Sequence, residues 1–333
     1  MRRRNMLAGA AALGLSAPAI VGTAKGQTKE LRMGTPFVNG SNLHQGMQKF
    51  AEVVNEGGGG RYKVLVYTNS QIGDINQLLS GMQLDTVDMA YLGTANGGAL
   101  KGGGPLNIAY TPYLFSSKAN AERIINGPIF TPMFDDLAKE SGVRVFCAGG
   151  ARSGRAIQTV KGPITKPDDL KGYRLRIPPI PIFKDAFESV GVRPVPMGLS
   201  DIYQALSRGQ IDGQDNGFDL SLAFKWHEVA KFWAATDHVF ELAAWYMSEK
   251  LWATMTPADR ELFVRAGREG GNVVTALEAE ITKNGIEELK KNGVTYVVAD
   301  VAAFRTAFLP SIRNYEGKQW PEGLVGRIHA MQA

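Results

Sequence analysis

Between residues 30 and 94 the spacing of apolar residues changes period four times, and this alternation limits the possible folds more than any other feature of the chain. "ELRMGTPF" (30–37) reads as a strand, and "LHQGMQKFAEVVNE" (43–56) as an amphipathic helix with Met47, Phe50, Val53 and Val54 at three- and four-residue spacing. "RYKVLVYT" (61–68) is a second strand, "DINQLLSGMQL" (74–84) a helix and "DTVDMAYLGT" (85–94) a third strand. A β-α-β-α-β order predicts a mostly parallel sheet with helices on both faces. The theme returns after "VRVFCAGG", with "AIQTV", "YRLRIPP", "IPIFKDAFESVG", "VRPVPMG", "SDIYQALSRG" and "QIDGQ", so two α/β lobes are the simplest reading. A different pattern follows at 256–293. Thr256 suits an N-cap, Pro257 the first helical position and Asp259 the first turn. One helix to about residue 291, despite a soft point at Gly270-Gly271, could run along both lobes.

The bulk properties exclude several classes. At 333 residues there is room for two ordinary domains, and 21% charged with 44% hydrophobic residues is the balance of a soluble globular protein. "MRRRNMLAGAAALGLSAPAIVGTAKGQ" has a charged start, a short apolar stretch and small residues before Ala19 and Ala24. Residues 1–24 therefore read as a cleavable export signal, and Arg3-Arg4-Asn5-Met6-Leu7 fits a loose twin-arginine pattern. Without Arg2, Arg3 and Arg4 the 37 basic residues fall to 34 against 32 acidic, about +2 for the mature chain. No Lys/Arg stripe with interleaved aromatics supports a nucleic-acid partner.

Cys147 is the sole cysteine, so no intramolecular disulfide or cysteine metal cluster can form, and its apolar strand suits a buried thiol. His44, His227, His238 and His329 show no ligand spacing, no G-x-S-x-G elbow occurs, and "DGQDNGFD" (212–219) lacks the phasing of a calcium loop. Neither a metal, a cofactor nor an activated nucleophile is expected. What remains are polar residues at strand ends and in the loops after them, where open α/β sheets bind ligands. These are Asn39, Ser41, Asn42, Gln71, Asp74, Thr94 and Asn96 in the first half, and Arg155, Arg176 and Asn216 in the second. Two arginines and no evident general base favour holding an anion over transforming one.

Structural readings stand beside this one. Arg176 could pair with Asp215 or lie on an edge strand facing water, and Asn216 before Gly217 could be an ordinary turn asparagine. Arg152 and Arg155 lie near the lobe boundary, where interlobe salt bridges compete with ligand contacts. The aromatic group Trp226, Phe232, Trp233, Trp245 and Tyr246 reads as core.

"NSQIGD", "VDMAYLG", "PITKPDDLKGYRLRIPP", "PVPMGLSDIYQALSRGQIDGQDN" and "EVAKFWAATDH" occur in an order that resembles the substrate-binding proteins of TRAP transporters, the DctP-type family, over about residues 30–325. The resemblance implies a two-lobed periplasmic-binding-protein (Venus flytrap) α/β fold with a long helix spanning both lobes. Lobe I would comprise 28–152 plus about 241–280, and lobe II 153–240 plus about 281–333. In that family the arginine ending the K-x-R-x-P strand pairs with the ligand carboxylate, and Arg176 holds its place. The asparagine of DGQEN falls on Asn216, with Asp215 where glutamate is common. A second arginine falls on Arg155 by count, with Arg152 close by, and the first-lobe loop asparagine matches Asn42. Sialic-acid-binding members carry Glu and Arg after the third strand, where this chain has Gly93 and Asn96. The resemblance thus implies a monomeric periplasmic receptor that hands a small organic acid to a permease with a small and a large integral subunit. A ligand-presenting sensory receptor is the alternative, and an exported enzyme a weaker one.

Overall fold

The computed structural model describes residues 27–332; the export signal expected at 1–24 lies outside them. In the first lobe, β1 (Lys29–Gly34), β2 (Tyr62–Tyr67) and β3 (Met89–Gly93) are joined by α1 (Asn42–Gly57) and α2 (Ile75–Gln83). Each helix begins on a side-chain cap. Ser41 accepts from the His44 amide, while Asp74 and Gln77 form a reciprocal capping box. β1 runs parallel to both β2 and β3, as the alternation predicts.

The expectation of a mostly parallel sheet needs correcting elsewhere. The first sheet has the order β2-β1-β3-β10-β4, where β4 is Val143–Ala151 and β10 is Leu242–Ser248. β10 returns from far along the chain and pairs antiparallel with β3 and β4. The second sheet has the order β11-β9-β5-β8-β6-β7, built from β5 (Ala156–Thr159), β6 (Arg174–Ile177), β7 (Arg193–Pro196), β8 (Gly213–Asn216), β9 (Phe232–Ala235) and β11 (Thr295–Val298). β6 is parallel to β7 and β8, but β5 is antiparallel to β8 and β9. Parallel pairs arise where helices connect the strands within one lobe, and also between β9 and β11, which the return through the first lobe and the long helix separates. Antiparallel pairs arise where the chain enters one lobe and returns to the other.

Two extended segments make that passage, 152–155 from β4 to β5 and 236–241 from β9 to β10. They are hydrogen-bonded to each other: the Arg152 amide donates to the Glu241 carbonyl (3.1 Å), the Arg155 amide to Val239 (2.9 Å) and the His238 amide to Arg155 (3.1 Å). The third connection is the long helix. With α3 (Lys118–Ile125), α4 (Thr131–Ser141), α5 (Pro181–Ser189), α6 (Ile202–Ser207), α7 (Phe218–Ala223) and α8 (Glu249–Ala253) preceding it, α9 spans Pro257–Lys291. Its 35 residues give a rod of about 52 Å, which packs on α1 and β4 of one lobe and on α7 and β11 of the other. Thr256 caps it as expected, accepting from the Asp259 amide.

Gly270-Gly271 does not break this helix. A Cβ on Gly270 would lie 2.6 Å from the Gly46 carbonyl oxygen, and one on Gly271 would lie 2.9 Å from the Gly149 carbonyl carbon. The glycines let α9 approach the backbones of α1 and β4. Beside this seam Trp245 stacks between Tyr91 (3.9 Å) and Phe50 (4.5 Å) and donates from Nε1 to the Gly267 carbonyl. Cys147 is buried there too, and burial pushes its thiol up to about 11. After β11, α10 (Val301–Ile312) packs on α5. The final helix, α11 (Leu324–Ala330), brings His329 to the Tyr113 carbonyl, and Arg123 donates to the Met331 carbonyl just after it.

Candidate functional site

Arg176 lies on β6, an interior strand of its sheet, and is 2% exposed. The edge-strand reading is therefore wrong. The pairing with Asp215 is also not made, and it is Arg155 that meets this acid: its Nε donates to Asp215 Oδ2 (2.8 Å) and its Nη2 lies 2.7 Å from the same oxygen. Arg176 donates from Nε and Nη2 to the Met197 carbonyl oxygen (2.9 and 2.8 Å). Among the described residues no carboxylate lies within 4.0 Å of its guanidinium. Burial without such a partner pushes the group down to about 9. It lines a cavity of about 200 Å³ whose walls come from both lobes, Pro36, Ser70 and Asp74 on one side and Pro179, Met197 and Ser200 on the other.

The other two buried arginines occupy the first crossing segment. Arg152 Nε pairs with Asp219 (3.0 Å) and its Nη1 with Glu241, while Arg155 Nη1 reaches the same Glu241 oxygen at 3.3 Å. Burial alone would lower both guanidiniums, but Asp219 and Glu241 raise Arg152, and Asp215 and Glu241 raise Arg155. Burial would likewise raise the Asp215 carboxyl, yet Arg155 and His238 hold it below the usual range. His238 completes the group, its Nε2 3.4 Å from Asp215 Oδ2 and its Nδ1 2.8 Å from the Thr236 hydroxyl. Tyr110 stands within electrostatic reach of Glu241, Arg152 and Arg155, and burial raises its phenol well above the ordinary value.

The sequence candidates divide accordingly. Asn216 ends β8, fully buried, and its Nδ2 donates to Gln214 Oε1 (2.9 Å), so it is a strand residue and not a turn asparagine. Asn42 opens α1 and is 4% exposed, with neither amide atom bonded. It lines a separate cavity of about 580 Å³ bounded by α1, α7 and α9. Asn96 is buried beside Gly93, where a Cβ would fall 3.0 Å from its Oδ1 and 2.2 Å from the Tyr110 hydroxyl. Thr94 spends its hydroxyl on the Leu242 carbonyl (2.9 Å), and Gln71 is exposed, outside the wall around Arg176. Arg174 pairs with Asp212 at 2.7 Å, a structural ion pair. Sequence reasoning missed Glu241 and Asp219, which balance the hinge arginines. One signal was present, since Glu241 is a lone acid in the otherwise apolar run 239–247.

Among the described residues no group of three or more His, Cys, Asp or Glu stands where a metal could be held. Two α/β lobes linked by two bonded segments and a long helix, with a buried cationic group between them, define a cleft-type solute-binding protein. The chain matches the family of bacterial extracellular solute-binding proteins, family 7 (DctP), over residues 33–318, and it belongs to that family. Among solved structures it is similar to a TRAP periplasmic solute-binding protein of Roseobacter denitrificans with bound L-galactonate, at 26% identity and a TM-score of 0.84 over 92% of this chain and 99% of the other. It is also similar to one from a Polaromonas species bound to D-erythronate, at 25% identity and a TM-score of 0.85 over 92% and 98%. A C4-dicarboxylate-binding protein of Bacillus subtilis is 28% identical over 251 residues, 75% of this chain and 70% of the relative.

Proposed function

We propose that this protein is the exported, monomeric receptor of a TRAP-type transporter, which captures a small organic acid without transforming it and passes it to a membrane permease of small and large subunits. The observation that carries the reading is Arg176, buried and bonded only to a carbonyl oxygen, while its two buried arginine neighbours each have acids. A buried cation without a counterion is costly, and an incoming carboxylate supplies one with the planar geometry that suits the guanidinium fork. Asn216, Arg155 and Arg152 support the anion from β8 and the crossing segments, and Asn96 lies toward its far end, while Asn42 lines the separate cavity and is not assigned to this anion. We place the lobe boundaries at the two crossing segments, which flex as the lobes close. The similar structures that hold galactonate and erythronate support an acid of this size.

Calorimetric titration against a library of organic acids, with Arg176→Ala and Arg176→Lys in parallel, tests the proposal. Losing a buried charged partner costs roughly 2 to 5 kcal/mol, so Arg176→Ala should weaken binding at least about thirtyfold. Arg176→Lys should also bind more weakly, because an ammonium is a point charge and not a fork. Wild-type affinity in the alanine variant would refute the assignment.

A further inference from the structure

We infer that Glu241 makes this receptor selective for hydroxylated monocarboxylic acids against dicarboxylic acids. The inference rests on the carboxylate anchor at Arg176 proposed above. Both ligand classes occur among its relatives, so the anchor alone does not choose between them. The choice lies with the second crossing segment. Glu241 is 3% exposed, and its Oε1 meets both Arg152 and Arg155 while its Oε2 is buried with no hydrogen-bond partner. In the same network Asp215 Oδ1 and Arg152 Nη2 are also buried and unpartnered. The network therefore offers two carboxylate oxygens and one guanidinium nitrogen to a bound molecule.

A hydroxyl matches that offer, because it can donate to Glu241 or Asp215 and accept from Arg152. A second ligand carboxylate is acceptor-only. It would leave both protein oxygens unpaired and face them with like charge. The charges agree: Asp215, Asp219 and Glu241 pair with Arg152 and Arg155, three acids to two arginines, so one ligand carboxylate is held by Arg176 and a second would meet like charge. Glu241 is tied through Arg155 to Asp215 on β8, the strand that pairs with the one carrying Arg176.

Titration with aldonic, aldaric and unsubstituted alkanoic acids of four to six carbons tests this directly. At the best chain length the aldonate should bind at least about tenfold more tightly than the aldarate, since like charges juxtaposed in a desolvated site cost more than a factor of ten. The alkanoate should also bind more weakly than the aldonate. Glu241→Gln should shrink the aldonate-to-aldarate ratio. If that variant does not fold by thermal melting, Glu241→Asp keeps the charge and should preserve the ratio while weakening the aldonate. Aldarates binding as tightly as aldonates, a ratio unmoved by Glu241→Gln, or a ratio lost in Glu241→Asp would each overturn the inference while leaving the Arg176 anchor intact. Binding of other acids through Arg176, with no hydroxylated acid bound, would do the same. If no carboxylic acid bound at all, both readings would fall.

Discussion

Arg176 and Arg155 are both buried arginines of the second lobe, yet their substitutions should act on different quantities. Arg155 neutralises Asp215 and shares Glu241, so Arg155→Ala strands buried acids and should cost about 3 to 5 kcal/mol of stability in urea unfolding. Arg176 neutralises no acid within hydrogen-bond reach. Arg176→Ala should therefore leave the melting temperature of the ligand-free protein unchanged or higher while weakening binding at least about thirtyfold. Asp212 is a structural carboxylate of the same lobe. Burial would raise it, but Arg174, through side chain and backbone, and Lys161 hold it far below the usual range. A depressed carboxylate contributes stability that is complete above its unfolded value of about 3.9 and is lost as pH falls below that. Urea midpoints measured from about pH 5 to 2 should show this acid loss. Asp212→Asn should cost about 1 to 3 kcal/mol at neutral pH and flatten the acid limb.

Among the elements, α9 departs furthest from what local propensity suggests. Two adjacent glycines in a helix weaken it by roughly 1 kcal/mol each relative to alanine, and by propensity alone Gly270→Ala should stabilise. The Gly46 carbonyl 2.6 Å from the would-be Cβ reverses that sign, because backbone cannot move aside as a side-chain tip can. Gly270→Ala should lower stability by about 1 to 3 kcal/mol, the usual range for overpacking. Gly326 in α11 has nothing within 4 Å of its Cβ position, and Gly326→Ala should raise stability by up to about 1 kcal/mol. A pair of melting curves decides the matter, and two stabilising results would show that α9 is not held by this close approach.

At the scale of the whole molecule, the polar cluster sits where the chain passes between lobes. Arg152, Arg155, His238 and Glu241 all belong to the two crossing segments, so a ligand that contacts them contacts the hinge. A ligand that also touches Arg176 in one lobe and the loops around Pro36 and Ser70 in the other favours the closed arrangement, because only that state makes both sets of contacts. Small-angle scattering should show a smaller radius of gyration at saturation, and the same ligand should do nothing to Arg176→Ala. Unchanged dimensions on saturation of the wild type would remove closure from the mechanism. Ligand at a hundred times its Kd should add about 2.7 kcal/mol of stability.

The periodicities of the chain determined α1, α2, α5, α6 and the strands β1 to β3 to within a few residues, because each depends on neighbours one to four positions away. The long helix was legible for the same reason, from its cap at Thr256 to its end near Lys291. Arg176 was legible as a charged residue at the end of a strand. Tertiary structure alone decided which arginine lacks an acid. Arg155 and Glu241 meet across 86 residues, and they do so because the strand that leaves the first lobe must later return beside itself, antiparallel. Local spacing carries no record of that return, so the chain displayed its candidate cations while the fold decided which of them has an acid and which does not.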